Sequence, residues 1–492
     1  MWRPEQSIKY EAKPGTWPSK DIANNSMLFS PLSVGRLHLN QRTWVPAMVP
    51  WRASDEGELT QDVLDWYERF AEGQPGAIVV EATGIRDIAS GPLLRISNDN
   101  HIDGLRKLVN TIRKASDGKT KVFIQIIDFL SIRKRPEREK YLQRFLEITD
   151  RHRKLLQEHD EAKIRSQLVN KTDDELSEIL DSRELDALNQ GYRERVTDTQ
   201  LPWIADLPEK LPDLFARAAQ RAEIAGFDGV ELHYAHAYTM SSFLSRTNTR
   251  KDGYGGSKEN RVKLPLEVFH QVRSSVSDNF LVGCRYLSDE IIQDGSGIDD
   301  AIYFANQFAE AGMDFISVSR GGKFDDAKQP KVGAAAYPYT GQSGYECMPQ
   351  YISDEIGPFG RNLPASERIK NSLVENNYQV PLVAAGGIHN FEQSEDVLQK
   401  GQADVIAYAR QALADPDWFR KVKQGDGEKV IICRYSNYCE ALDQKHKQVT
   451  CELWDRTDLD EPNISKSFDG KRRLIAPRNY CLLYTSPSPR DS

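Results

Sequence analysis

Hydrophobic and polar positions along the chain alternate between short apolar runs and longer amphipathic stretches. Eight runs read as strands, at residues 43–48, 77–81, 122–127, 229–233, 281–286, 315–319, 382–385 and 405–409. Near-continuous apolar runs of this length suit strands buried on both faces, as in a parallel sheet. Segments of helical character lie between them. Eight such repeats predict an α/β fold, a complete TIM (β/α)8 barrel.

Four segments break the repeat. Residues 1–27 are polar and proline-bearing and predict an N-terminal arm. The barrel then falls into two parts, 28–130 and 206–425, around an insertion at 131–205. The insertion is charged and poor in glycine, with Tyr141, Phe145, Ile148, Leu155 and Leu156 at helical spacing. It follows the third strand, so it opens on the catalytic face of a barrel. A lid, a partner surface and a solvated helical hairpin all fit it. A long loop at about 321–364 carries Tyr337, Tyr339 and Tyr345, suited to lining a pocket or to packing on the inserted helices. An extension at 426–480 holds three cysteines, and 481–492 (CLLYTSPSPRDS) resembles a translated sequencing-adapter tail and is set aside.

Composition narrows the function. Hydrophobic residues make up 39% of the 492, enough for a large core, and the net charge of −8 argues against a nucleic-acid surface. No apolar run approaches the ~18 residues of a membrane span, and the N-terminus lacks a signal-peptide core. Six cysteines in so long a chain do not suggest a disulfide framework. The expectation is a cytoplasmic enzyme acting on a small molecule, with the question of a homo-oligomer left open.

The chemistry concentrates in residues 226–261, GFDGVELHYAHAYTMSSFLSRTNTRKDGYGGSKENR. His233, His236 and Tyr238 would face different sides of a regular strand. They converge only if the strand ends near His233 and the chain turns over its mouth. The segment keeps His233, Ala235, His236, Tyr238, Phe243, Leu244, Ser245, Asn248, Arg250, Asp252, the run Tyr254 to Ser257, and Glu259, Asn260 and Arg261. With these it resembles the signature of the Old Yellow Enzyme family, flavin-dependent ene-reductases on a TIM barrel. It also resembles the barrel domain of 2,4-dienoyl-CoA reductase. The stretch from Leu28 resembles the family opening, in which a short hairpin covers the barrel bottom.

The resemblance implies FMN as cofactor, with NADH or NADPH as electron donor. It implies that His233 and His236 hold a substrate carbonyl and that Tyr238 donates a proton. Flavin would meet Met48, Val49 and Ala82, hydrogen-bond Gln125, and place its N1–O2 edge at Arg285. Its phosphate would lie against Gly386, Gly387, Ala409 and Arg410. Strand 7 and 8 loops commonly bind phosphate in such barrels, and an interior Arg285 needs a partner. Two histidines without a third ligand do not suggest a metal site.

Three departures matter. Val49 stands where the family carries Thr or Cys, and valine donates no hydrogen bond to flavin, so a harder-to-reduce flavin is expected. After Gln125 the chain reads Ile126, Ile127 and Asp128 in place of the usual His and Gly-Arg, and Asp128 is a candidate to fill that gap. Cys433, Cys439 and Cys451 resemble an iron–sulfur motif, but Ser436 replaces one cysteine, so no cluster is expected. A flavin-dependent amine or other dehydrogenase, and a flavin-binding protein without turnover, stay open as alternatives.

Overall fold

The computed structural model describes residues 10–88, 90–348 and 357–478. The stretch 481–492 and the start of the arm lie outside the described residues. The strands form a closed, all-parallel barrel. In chain order they are β1 (Thr43–Val45), β2 (Ala77–Gly84), β3 (Lys121–Ile127), β4 (Gly229–Tyr234), β5 (Leu281–Leu287), β6 (Ile316–Ser319), β7 (Leu382–Ala384) and β8 (Val405–Ala407). Helices Gln61–Ala71, Ile102–Ala115, Leu207–Ala225, Lys258–Ser275, Ile298–Ala311, Leu363–Glu375 and Phe391–Gln399 return the chain between strands, and Trp418–Gln424 follows the last. The TIM barrel expected from periodicity is present.

The strand ends differ where backbone chemistry intervenes. β1 stops at Val45 because Pro46 has no N–H for the ladder. β2 runs on to Gly84 through a register shift between Val80 and Thr83. There the Glu81 side chain bonds Tyr67 Oη, 3.1 Å away on the covering helix.

Alternation divides the core into two layers. Val122, Ile124, Val230, Leu232, Val282 and Ile316 pack outward on the helices. Trp44, Val79, Phe123, Leu281, Phe315 and Val405 fill the interior, joined by Leu32, Leu37 and Leu39 of an antiparallel hairpin. The hairpin plugs the lower end, so only the opposite end is left for chemistry. Gly226 (φ +95) ends the helix before β4 in the left-handed conformation that glycine adopts freely.

The insertion folds on itself. Leu142, Leu146, Ile164, Leu168 and Leu176 form a separate apolar core. Its two ends pair beside the barrel mouth, with Ile132 bridging Arg193. Among the described residues, no helix is long and apolar enough to cross a membrane.

Candidate active site

Toward the C-terminal ends of β3 to β6 the inward positions change from apolar to polar. Gln125 stands beside Glu231, His233 beside Arg285, and Arg285 beside Ser317. Gln125 Nε2 donates to Glu231 Oε1 at 2.6 Å. Among the described residues, Glu231 Oε2, His233 Nδ1 and Arg285 Nε are buried without a partner. Burial raises the Glu231 carboxyl above its ordinary range, against the pull of Arg285. A guanidinium held this way is costly unless something polar completes it.

The strand β4 ends at Tyr234, and the chain then turns through His236 in the left-handed region (φ +58). For a non-glycine residue this costs of order 1–2 kcal/mol. The turn brings His236 Nδ1 within 3.3 Å of His233 Nε2, and His236 Nε2 within 3.1 Å of Ser319 Oγ. Tyr238 begins the helix Thr239–Leu244, its ring 5.5 Å from that of His233. Its hydroxyl makes no hydrogen bond among the described residues.

A buried ion pair steadies the turn. Lys323 Nζ donates to His236 O at 3.2 Å and to Glu290 Oε1 at 2.8 Å. Glu290 Oε2 accepts from Ser245 Oγ and from Ser296 N, each at 2.7 Å. Both imidazoles are neutral. Burial, then the Arg285 charge, pushes His233 down to about 3. Burial, with His233, Arg285 and Lys323 nearby, holds His236 well below its ordinary value. Burial, then Asp443, raises the Tyr238 phenol, so it keeps its proton.

Gly386 (φ +123) and Gly387 (φ +69) follow β7. A Cβ at Gly387 would lie 2.1 Å from Pro358 O, so only glycine fits. Ala409 and Arg410 follow β8, the strand that pairs with β7. Arg410 donates to Asn437 Oδ1 at 2.7 Å and lies 4.6 Å from the centre of the Tyr435 ring, which fixes its direction. Met48 and Val49 are half-buried just past Pro46, and Ala82 is buried in the irregular part of β2. Arg285, whose Nε has no partner among the described residues, the Gln125 amide and a glycine turn near Arg410 are groups of the kind that could hold the polar edge and phosphate of a flavin.

Asp128 takes another role. Its carboxylate is clamped by Arg86 at 2.5 and 2.9 Å, joining the loops after β2 and β3. Two of the loop tyrosines singled out in the sequence take definite partners here, whereas Asp443, Trp51 and Lys323 escaped the sequence reading. Tyr339 packs edge-on to His236 at 5.6 Å, and Tyr337 bonds Asp443, which also accepts from Trp51 Nε1 at 2.6 Å. Lys323 follows a Gly-Gly pair, the only local hint of its place. Within this loop Tyr339 faces the mouth, and Phe324 packs between Tyr238 and the insertion's Arg193; residues 349–356 of the loop lie outside the described ones. A cavity of about 260 Å³ opens beside Tyr238, lined also by Phe129, Phe324, Lys323 and the insertion's Arg193 and Thr197.

Cys433, Cys439 and Cys451 line a second, small cavity with Ser436 and Arg410. Among the described residues, no group of three or more His, Cys, Asp or Glu side chains is arranged to hold a metal ion.

Comparison with known proteins agrees with this architecture. The NADH oxidase of Thermoanaerobacter brockii is 26% identical over 411 residues, covering 82% of this chain and 52% of its own. The NADPH dehydrogenase of Geobacillus sp. (strain WCH70) is 27% identical over 399 residues, covering 80% and 92%. A solved 2-naphthoyl-CoA reductase superposes with a TM-score of 0.62 at 18% identity, over 88% of this chain and 57% of its own, a likeness of fold. The chain spans about half the length of the first of these relatives. Residues 27–139 and 209–428 match one family, leaving out most of the insertion. By that match and by its barrel, the chain belongs to the NADH:flavin oxidoreductase / NADH oxidase family.

Proposed function

We propose that this protein binds FMN at its barrel mouth and uses NADH or NADPH to reduce an activated C=C bond of the α,β-unsaturated carbonyl type. The observation that carries this reading is the cluster of His233, His236 and Tyr238 beside Arg285, whose Nε has no partner among the described residues. Arg285 and Gln125 would hold the polar edges of the flavin, and Gly386, Gly387, Ala409 and Arg410 its phosphate. Bound FMN supplies hydride chemistry.

The protein supplies the complementary half of the addition. A neutral imidazole at His233 or His236 donates a hydrogen bond to the substrate carbonyl oxygen, a bond that strengthens as enolate charge develops. Because both rings stay neutral across the physiological range, neither loses its task to protonation. Tyr238 retains its phenolic proton and hands it to the α-carbon, so that one hydride and one proton complete the reduction. The barrel floor is filled by side chains, so substrate enters from the mouth.

The test is spectroscopic. FMN-loaded protein under anaerobic conditions should bleach with NADH or NADPH and regain its colour with 2-cyclohexenone. Tyr238→Phe should slow the second step by about 100-fold and leave bleaching intact. Flavin that bleaches but ignores every enone would overturn the substrate class; failure to take up FMN would overturn the site.

A further inference from the structure

The family match leaves out most of the insertion, yet its last turn supplies one wall of the cavity beside Tyr238. Arg193 is the conspicuous residue there. Its side chain is only 14% exposed and makes no hydrogen bond among the described residues, its nearest anion being Asp325 at 3.8 Å. The guanidinium lies 4.9 Å from the centre of the Phe324 ring, whose other contact is the ring of Tyr238 at 6.4 Å.

Asp325, which also lines the cavity, pairs with it only at 3.8 Å, beyond hydrogen-bond reach, and the other neighbouring charges are engaged elsewhere. Arg195 is committed to Asp186 at 2.8 Å. Glu194 accepts from Ser131 N and from Trp203 Nε1, both at 2.9 Å. Lys323 is paired with Glu290. Thr197, on the same wall, has a hydroxyl without a partner among the described residues. Burying a guanidinium whose donors reach no hydrogen-bond acceptor among the described residues is unfavourable, and burial accordingly lowers the Arg193 pKa against the pull of Asp325. A planar fork of donors opening into a cavity suits a carboxylate.

We infer that the cavity between Arg193, Thr197 and Tyr238 receives a carboxylate carried by the substrate, one aromatic ring beyond the reacting bond, so that the preferred substrate is an anionic conjugated carbonyl. This rests on the reduction proposed above and narrows its substrate. The insertion acts here as a specificity wall: its helices keep their own core while its stem presents Arg193 to the mouth.

A matched pair of probes tests it: a 2-cyclohexenone bearing a carboxymethyl arm, and the methyl ester of the same compound. With FMN-loaded full-length protein, kcat/KM for the acid should exceed that for the ester by about tenfold or more. Arg193→Met should collapse this ratio toward one through KM, and Arg193→Lys should restore part of it. Calorimetric titration of both probes, without nicotinamide, gives a second readout in which the acid binds more tightly only when residue 193 is cationic. Arg193-dependent binding of the acid without turnover would uphold the anion site and sink the reduction reading. Turnover of both probes with equal kcat/KM would do the reverse. A rise in KM confined to NADH or NADPH in Arg193→Met would also overturn the proposal, assigning the guanidinium to the dinucleotide phosphates.

Discussion

His236 shows how one residue's backbone depends on distant side chains. Its left-handed φ is held by Lys323, which is 87 positions away and paired with Glu290 in a buried ion pair. Lys323→Met leaves the buried Glu290 without its cation and should cost about 3–5 kcal/mol of stability, measurable by chemical denaturation. Lys323→Arg, which keeps the charge, should lose less. Val49 is the second instructive residue. Valine offers flavin no hydrogen bond, so Val49→Thr in FMN-loaded protein should raise the midpoint potential measured by spectroelectrochemistry. An unchanged or lower potential would remove Val49 from the site. His233, His236, Tyr238 and Arg285 were legible in the sequence because motif spacing and strand position are local properties. Lys323 and Ser319 were not, since their roles come only from what faces them across the barrel.

Among the elements, the insertion stands apart. Its apolar residues make a core of their own, separate from both layers of the barrel. Truncating the fully buried Leu168 to alanine should cost the insertion about 2–5 kcal/mol while the barrel keeps its thermal transition. Limited proteolysis is the check: cleavage within 150–190 should accelerate without a matching fall in the main unfolding temperature. Joint unfolding of both would show one cooperative unit. Helical spacing pointed to helices in this stretch, although Ile148 lies between two of them and Phe145 and Leu155 face outward. It did not reveal that the stem returns to the mouth, because the pairing of Ile132 with Arg193 closes a loop of sixty residues.

The whole molecule is tied together by buried charges. Arg52, after β1, donates to Val449 O at 2.8 Å and to Leu474 O at 2.6 Å, binding the C-terminal extension to the barrel. Arg69 and Asp417 pair at 2.6 Å, linking the first covering helix to the start of the last. Two groups shape the pH dependence of stability in opposite senses. Burial lifts Glu81 from 4.5 to about 8, so between these values the folded protein keeps a proton that the unfolded chain releases. Stability therefore falls as pH rises through that window. Burial and Arg285 depress His233 from 6.5 to about 3, so the unfolded chain takes up a proton that the folded protein refuses, and stability falls as pH drops through that range. Glu81→Gln should flatten the decline of Tm between pH 5 and 8 and leave the acid limb of the profile in place. A decline as steep as in the parent protein would remove Glu81 as its cause.

Period and motif belong to neighbouring residues, and they were enough to establish eight apolar strands, the helices between them, the glycine turn after β7 and the polar cluster at the end of β4. Pro46 set the end of β1 in the same local way. Depth within the fold, by contrast, depends on which strand lies beside which. Only the pairing of β4 with β5 in the barrel places Arg285 next to His233 and leaves its Nε without a partner among the described residues. Only the packing of remote loops sends Asp128 to Arg86, Asp443 to Trp51 and Tyr337, and Arg193 to the edge of the cavity. The physical reason is the same throughout: the energy of a buried charge is set by what surrounds it in space, and those surroundings come from segments that the sequence keeps far apart.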